Sequence, residues 1–227
     1  MKITKLLVCP QCKSKSVAFD VGGITGKFKC KSCGYVGIAL ELSFPNFRYF
    51  FTSSGLLVLC GKNAEQNEEL IKKYTDKDDY VLHTKSPGSP FCVIKGKPKA
   101  KDLKEAANFC ACFSKEWKIG KNKKIEVDVF VGKDIYKERE MPKGTFGVKK
   151  ILKRIFVEPK LFLNLVNNTL EVLPYKKKVI GVIKRGKKER EKIIKEIERF
   201  AKEKRYNIGF IVVPAHNLKL EWKKDKI

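Results

Sequence analysis

The sequence predicts an α+β protein in three parts, and three observations carry that reading. Cys9 and Cys12 (C-P-Q-C) are followed, after seventeen residues, by Cys30 and Cys33 (C-K-S-C). The middle of the chain then alternates short period-two apolar runs with capped amphipathic helices. Near the end, one strand pattern, one long amphipathic helix and one further strand pattern follow in order. The parts are 1–43, 46–160 and 161–227.

The two Cys-x-x-Cys pairs are the ligand pattern of a tetrahedral four-thiolate site, so the first part reads as a zinc ribbon with Zn2+ in a structural role. Each pair supplies two sulfurs from one tight knuckle, and the gap lets the chain leave as a hairpin and return. Gly34 follows Cys33 where a knuckle calls for positive φ. Strands are expected over 5–8, 16–21, 27–30 and 35–42, and Pro45 in Ser43-Phe44-Pro45-Asn46 marks a hinge. The alternatives for these cysteines are disulfides or free thiols. The start, Met1-Lys2-Ile3-Thr4-Lys5, has no long apolar segment of a secretory signal, which disfavours disulfides and points to the cytoplasm. Cys60, Cys92, Cys110 and Cys112 sit in apolar stretches and read as buried thiols.

In the second part, 47–60 reads as a hairpin turning at Ser53-Ser54-Gly55. Asn63 then caps a helix, with Gln66 at capping-box spacing and Leu70, Ile71 and Tyr74 as its apolar face. Strands over 80–83 and 91–95 flank a loop structured by Ser86-Pro87-Gly88-Ser89. A second helix is expected with Asp102 and Glu105 as its capping pair and a stripe from Leu103 through Cys110 to Trp117. Strands follow over 125–131, 146–148 and 155–158, with a turn at Lys143-Gly144-Thr145. This is a central mixed sheet with packed helices. In the third part, strand 179–183, helix 187–205 and strand 208–213 make a basic strand–helix–strand unit, and the long crossover implies parallel strands.

Charge narrows the function. Fifty Lys and Arg stand against 25 Asp and Glu, a net +25. The excess is 5 over 1–45, 10 over 46–160 and 10 over 161–227. Such a balance predicts salt-dependent binding to a polyanion, with nucleic acid the usual one. A membrane surface fits less well, because the basic helix over 187–205 has neither Trp nor Leu, and no apolar run reaches the length of a span. Hydrophobic content of 43% supports a packed core rather than a disordered basic tail. Only Gln11 and Gln66 are glutamines while Lys and Glu abound, a thermophile-like composition.

Several segments in fixed order carry a family resemblance. They are Phe47-Arg48-Tyr49-Phe50, Ser53-Ser54-Gly55, Gly61-Lys62-Asn63 with Gln66-Asn67, Asp79-Tyr80-Val81-Leu82-His83 and Gly88-Ser89 with Val93-Ile94-Lys95. Glu105-Ala106-Ala107 to Phe113-Ser114-Lys115, Val127-Asp128, Lys143-Gly144-Thr145-Phe146 and Phe156-Val157-Glu158-Pro159 continue them. Together, 47–160 resembles the NFACT-R domain, the RNA-binding module of NFACT ribosome quality-control factors. Pro90 departs from the family pattern. Full-length factors place a large N-terminal domain, helix-hairpin-helix segments and a coiled coil before this module. A ribbon stands there in this sequence, which therefore resembles a stand-alone archaeal relative. Recruitment of transfer RNA for tail elongation is not carried over.

The resemblance and the charge pattern together mark Arg48, Lys62, Asn63, Gln66, Asn67, His83, Lys85, Ser89, Lys95, Lys97 and Lys115 for RNA contact. Gly61-Lys62-Asn63 puts a cation and backbone N–H groups at a helix start, which suits a phosphate as well as it suits ordinary capping. Alternation places Arg48 and Phe50 on one strand face, a stacking platform unless the ring is core. Runs at Lys95–Lys101, Lys118–Lys124, Lys176–Lys178 and Lys184–Arg190 are solvated faces or binding faces.

The expectation is a non-catalytic RNA-binding protein on ribosomal RNA or transfer RNA, with the ribosome as partner and a role in translation or ribosome quality control. No membrane and no small-molecule substrate is expected. One alternative is an RNA-processing or RNA-modifying enzyme centred on His83 with Asp78, Asp79 or Asp128. Another is a DNA-binding zinc-ribbon protein.

Overall fold

The computed structural model describes residues 9, 11, 12, 14, 17–19, 27–38, 47–120 and 123–223. The expected strand over 5–8 and the hinge at Pro45 lie outside them. In chain order, β1 (Val17–Phe19), β2 (Lys27–Cys30) and β3 (Val36–Ile38) form a three-stranded antiparallel sheet. β4 (Arg48–Phe51), β5 (Leu57–Cys60), α1 (Ala64–Tyr74), β6 (Tyr80–Thr84) and β7 (Cys92–Lys95) follow. Next come α2 (Ala100–Cys112), α3 (Lys115–Ile119) and β8 (Ile125–Val131). β9 (Ile135–Tyr136) and β10 (Gly147–Val148) pair with each other before β11 (Lys153–Val157). The chain ends with β12 (Leu161–Val166), β13 (Thr169–Leu173), β14 (Val179–Lys188), α4 (Arg190–Lys204), β15 (Asn207–Ile211) and β16 (Leu218–Trp222). The mixture of sheets and helices is α+β, as the sequence predicts.

The chain divides into two compact units. The first holds Met1–Val81, Phe91–Pro98 and Phe130–Lys150; the second holds Leu82–Pro90, Lys99–Val129 and Ile151–Ile227. In the first, β5 pairs antiparallel with both β4 and β7. The β4–β5 hairpin turns where Gly55 takes φ +86°, a conformation that glycine enters without a Cβ penalty. Phe47, Leu57, Leu59, Leu70, Val81, Phe91, Val93 and Phe130 build one buried cluster, and Cys9 and Cys30 belong to it. β4 decides the aromatic question raised by the sequence. Phe50 is 1% exposed and Phe47 is buried, so both rings are core and Arg48 has no exposed Phe50 beside it.

Two cysteine assignments change. Cys60 and Cys92 face each other on β5 and β7 with Cα atoms 4.2 Å apart, and they are joined as a disulfide rather than standing as buried thiols. Directly opposed residues on antiparallel strands come within bridging distance. Cys110 and Cys112 are buried thiols, and burial pushes Cys110 up to about 12.

In the second unit, α2 packs against β11, and β11 pairs antiparallel with β8. The helical stripe from Leu103 to Trp117 is not one helix. α2 stops at Cys112, and Ser114 opens α3, its Oγ accepting from Trp117 N–H at 3.1 Å. A serine offers its own N-cap and so permits a restart. Asp102 is not the cap of α2. It stands in the first turn and accepts from Lys99 N–H at 2.8 Å.

The third part is larger than strand–helix–strand. A five-stranded sheet runs in the order β15-β13-β12-β14-β16. Asn167 and Asn168 both take positive φ, 47° and 60°, which makes the two-residue hairpin turn between β12 and β13. Within this sheet, among the described residues, β13 with β15 is the parallel pairing, and α4 carries the chain from β14 to β15 with β12 and β13 lying between them. β14 also runs on to Lys188, beyond the expected end at 183. Ile193, Ile197, Phe200 and Ala201 bury one face of α4, and Phe200 packs on Trp222 with ring centroids 4.3 Å apart.

Candidate metal centre and nucleic-acid interface

The four ribbon cysteines converge. Their Sγ atoms all lie within 4.8 Å of one another, with Cys9–Cys33 at 3.7 Å and Cys12–Cys30 at 3.6 Å. Sulfurs bound tetrahedrally at about 2.3 Å from one ion sit about 3.8 Å apart, so the set fits a metal ion. The two knuckles repeat one backbone pattern: Cys9 N–H donates to Ser14 O, and Cys30 N–H donates to Tyr35 O, each at 2.8 Å. Gly34, at φ +77°, donates to Cys30 O and closes the second knuckle. The Cys33 backbone N–H is the main influence holding the Cys30 thiol down to about 6, which favours a thiolate ligand. Cys33 goes the other way, to about 12. Its hydrogen bond at Tyr35 lowers it, but burial and the three neighbouring sulfurs outweigh that. Four close thiols release their protons as a set, the last one with difficulty.

The first unit gathers part of the candidate RNA set around the start of α1. Asn63 caps the helix, Oδ1 accepting from Gln66 N–H at 2.9 Å, and Gln66 Oε1 accepts from Lys62 N–H at 3.0 Å. Arg48 donates through Nη1 to Gly61 O at 2.9 Å, which brings its charge beside Lys62. Lys62 is held below the usual lysine range, first by burial and then by the Arg48 charge. Gly144, at φ +76°, lies so close to α1 that a Cβ would sit 2.7 Å from Ala64 Cα, and it brings Lys143 to the same end. Glu68 fastens that loop, Oε2 accepting from Gly144 N–H at 2.8 Å and from Lys137 Nζ at 3.0 Å. The sequence missed Lys143, although its Gly-Thr turn was legible.

Other expected residues in this unit point inward. Asn67 is buried and accepts from Phe91 N–H at 3.2 Å. Lys95 is 10% exposed at its side chain and is ion-paired with Asp79 and Asp76, while also donating to Tyr74 O at 3.2 Å. Lys97 is exposed.

The second unit gathers another part on one sheet face. His83 Nδ1 donates to Thr84 O at 2.7 Å. Burial pulls His83 below its usual value, against the pull of hydrogen bonds to Thr84 and Ser89 and of the Asp128 charge. Lys85 pairs with Glu126 at 3.1 Å. Arg154 lies opposite Asp128 in the β8–β11 ladder and reaches Glu126 at 3.3 Å and Asp128 at 3.4 Å. Phe156, two residues on, is 62% exposed while Ile155 between them is buried. The strand therefore turns Arg154 and Phe156 outward together. Sequence reasoning marked neither residue, although the alternation in Lys153-Arg154-Ile155-Phe156-Val157 carried the signal. Ser89 is buried, its Oγ accepting from Thr84 N–H at 3.0 Å, so it shapes the loop. Exposed Lys115 opens α3, and its N–H donates to Gly88 O at 2.8 Å. A Cβ on Gly88 would meet Lys115 Cβ at 3.0 Å, so glycine is needed there.

Two of the three carboxylates named for an active histidine hold other partners. Asp79 is buried in the first unit, accepting from Asp76 N–H and Lys95. Asp128 faces Arg154. Asp78 is exposed in the first unit.

Comparison with known proteins bears on the same region. Residues 46–150 match the NFACT protein RNA binding domain. The chain is 50% identical over 70 residues to the archaeal Rqc2 homolog aRqcH of Methanocaldococcus jannaschii, covering 30% of this chain and 10% of that protein. It is 40% identical over 72 residues to the Rqc2 homolog RqcH of Bacillus subtilis, covering 31% and 13%. It is 33% identical over 78 residues to the human ribosome quality control complex subunit NEMF, covering 33% and 7%. The chain thus spans only a small part of these relatives. Among solved structures, the C-terminal part of the fibronectin/fibrinogen-binding protein of Streptococcus suis is 26% identical, with a TM-score of 0.46 over 50% of this chain and 45% of that one. Over residues 46–150, then, the chain is similar to the NFACT protein RNA binding domain, and Rqc2, RqcH and NEMF proteins are among its partial relatives.

Proposed function

We propose that this protein binds RNA without catalysis, acts on ribosomal RNA or transfer RNA at the ribosome, and serves ribosome quality control. The observation that carries the reading is the match of residues 46–150 to an RNA-binding domain. The net charge of +25 supports it, because a chain so basic gains counterion-release free energy on any phosphodiester strand. Arg48, Lys62, Asn63, Gln66 and Lys97 are assigned as contacts in the first unit, with Lys143 added. His83, Lys85 and Lys115 are assigned in the second, with Arg154 and Phe156 added as a cation–aromatic pair for a splayed base. Asn67, Ser89 and Lys95 hold the loops and the α1 end that present these contacts.

Zinc is the metal assigned to Cys9, Cys12, Cys30 and Cys33, as four thiolates on a closed site are a structural zinc set. The cytoplasm is the compartment assigned, and among the described residues no helix is long and apolar enough to cross a membrane. The test is co-sedimentation with ribosomal subunits and gel-shift on structured RNA across a salt series. Binding at about 50 mM salt that falls by orders of magnitude towards 200 mM is expected. No binding to ribosomes or RNA in dilute salt would overturn the reading, and equal affinity for duplex DNA would move it to the DNA-binding alternative.

A further inference from the structure

A basic concavity lies in the second unit, built mostly by residues beyond the matched 46–150. It is a groove of about 500 Å³ lined by Trp117, Lys123, Glu158, Lys160, Lys184 and Arg185. That volume is in the range of ligand clefts, about 300–1,000 Å³. Local structure explains why the cations converge. β14 bulges where Arg185 and Lys188 both face Leu218, and a bulge re-aims the side chain beside it. Arg185 then crosses to α3, where Nη1 donates to Ile119 O at 2.9 Å. Gly120 ends α3 at φ +70°, and a Cβ there would collide with the guanidinium. Asn108 holds the backbone of Lys160, donating to Lys160 O at 2.8 Å and accepting from Lys160 N–H at 3.2 Å. Four cations therefore line one groove, Lys160 and Arg185 among them held in place by these hydrogen bonds. Two carboxylates answer them: Glu158 sits 3.9 Å from Lys160, and Glu221 sits 2.6 Å from Lys184. The balance stays positive.

His216 reports that imbalance. Its ring packs edge-on against Trp117 at 4.7 Å, and its Nε2 is buried with no hydrogen-bond partner among the described residues. Burial first, then the Lys118 and Arg185 charges, hold it down to about 4, so it stands neutral beside cations. Trp117 is too buried to stack a base, which leaves phosphate as the group the groove suits.

We propose that this groove grips the phosphodiester backbone of an RNA strand through Lys123, Lys160, Lys184 and Arg185, as a second anchoring surface built from the end of α3 in the matched domain and from residues that follow that domain. The inference rests on the RNA-binding reading above and locates a surface that reading does not include. An arriving phosphate neutralises the local field and eases protonation of His216. With His83 the only other histidine, both rings can be followed separately by NMR.

The test pairs the wild-type chain with Lys123→Glu/Lys160→Glu, two solvent-reaching side chains whose replacement leaves the Asn108 clamp on the Lys160 backbone intact. Folding of the variant is checked by tryptophan emission. Binding of a single-stranded RNA oligomer is measured from 50 to 300 mM salt, with His216 ring shifts recorded during the titration. The expected result is a salt slope shallower by about 1.4, affinity at 0.1 M salt weaker by at least about tenfold, and His216 shifts in the wild type that vanish in the variant. If the wild type binds RNA while the variant keeps its slope and His216 stays still, the groove is idle and only this inference falls. If the wild type binds no RNA, the function proposed above falls with it.

Discussion

Replacing Asn108 with alanine should destabilise the second unit by about 3 kcal/mol. Asn108 is 8% exposed on α2, and its Nδ2 donates to Lys160 O at 2.8 Å and to Pro174 O at 2.7 Å while Oδ1 accepts from Lys160 N–H. Alanine leaves all three backbone groups without this partner. A buried polar group deprived of its hydrogen bond costs about 1–3 kcal/mol. Lys160 is only half-buried, so water replaces part of the loss, and the lower end of the sum applies. Both tryptophans, Trp117 and Trp222, lie in the second unit, so urea unfolding followed by tryptophan emission reads that unit alone. Asn108→Asp supplies a second reading. It keeps the shape but turns a carboxylate towards two carbonyl oxygens, so at neutral pH it should be at least as damaging as alanine. It should recover partly in acid, where the neutral carboxyl regains one donor. A loss under about 1 kcal/mol in Asn108→Ala, with an unchanged denaturant slope, would refute the clamp.

Two further outcomes follow from the first unit. Cys9→Ser should lose stoichiometric zinc by metal analysis and lower the melting temperature of the first unit, because Cys9 shares a buried cluster with Phe47 and Leu59; undiminished zinc would remove Cys9 from the ligand set. Glu68→Gln should cost about 1 kcal/mol at pH 7, since Lys72 first, and then the Gly144 N–H and Lys137, hold the Glu68 carboxyl down to about 2 from an ordinary 4.5. A depressed folded value stabilises above the ordinary one and is lost as pH falls from about 4.5 towards 2. Amide exchange at Gly144 should show the variant's penalty fading over that window, and a penalty unchanged at pH 2 would contradict the assignment.

The fold was most legible where one residue type answers one local need. Asn63 and Gln66 announce a helix start: Asn63 makes the cap bond expected of it, while Gln66 reaches one residue further back, to Lys62 N–H. The alternation over Ile125–Val131 fixes β8 to the residue. Legibility failed where tertiary partners decide. Nothing local tells that Ser114 interrupts an apolar stripe, because Leu103, Cys110 and Trp117 are buried whether the helix breaks or not. β12 and β13 escaped because Asn167-Asn168 is a weaker hairpin signal than Asn-Gly, though the structure gives both residues the positive φ of that turn. The Cys60–Cys92 bridge depends on the register of β5 against β7, which no spacing rule contains. Its presence and the thermophile-like composition are compatible in a reducing compartment, since intracellular proteins of hyperthermophiles are disulfide-rich.

The candidate site shows why charge alone cannot name a contact. Lys95 and Lys97 look equivalent in the sequence, two lysines of one alternating run. The structure separates them: Lys95 closes an ion pair with Asp79 and is 10% exposed at its side chain, while Lys97 faces solvent. A lysine both buried and paired must leave the fold and break its carboxylate contacts before it can meet a phosphate, unlike a paired lysine whose side chain still reaches solvent. The same separation applies to aromatics. Phe50 beside Arg48 is core, whereas Phe156 beside Arg154 is open, although both pairs read as basic–aromatic alternation on a strand. What distinguishes them is whether another layer covers that strand face. Substituting Phe156 should therefore change base stacking, whereas substituting Lys123 and Lys160 should weaken binding with a shallower salt slope and leave stacking unchanged, so the two surfaces are separable in one binding assay.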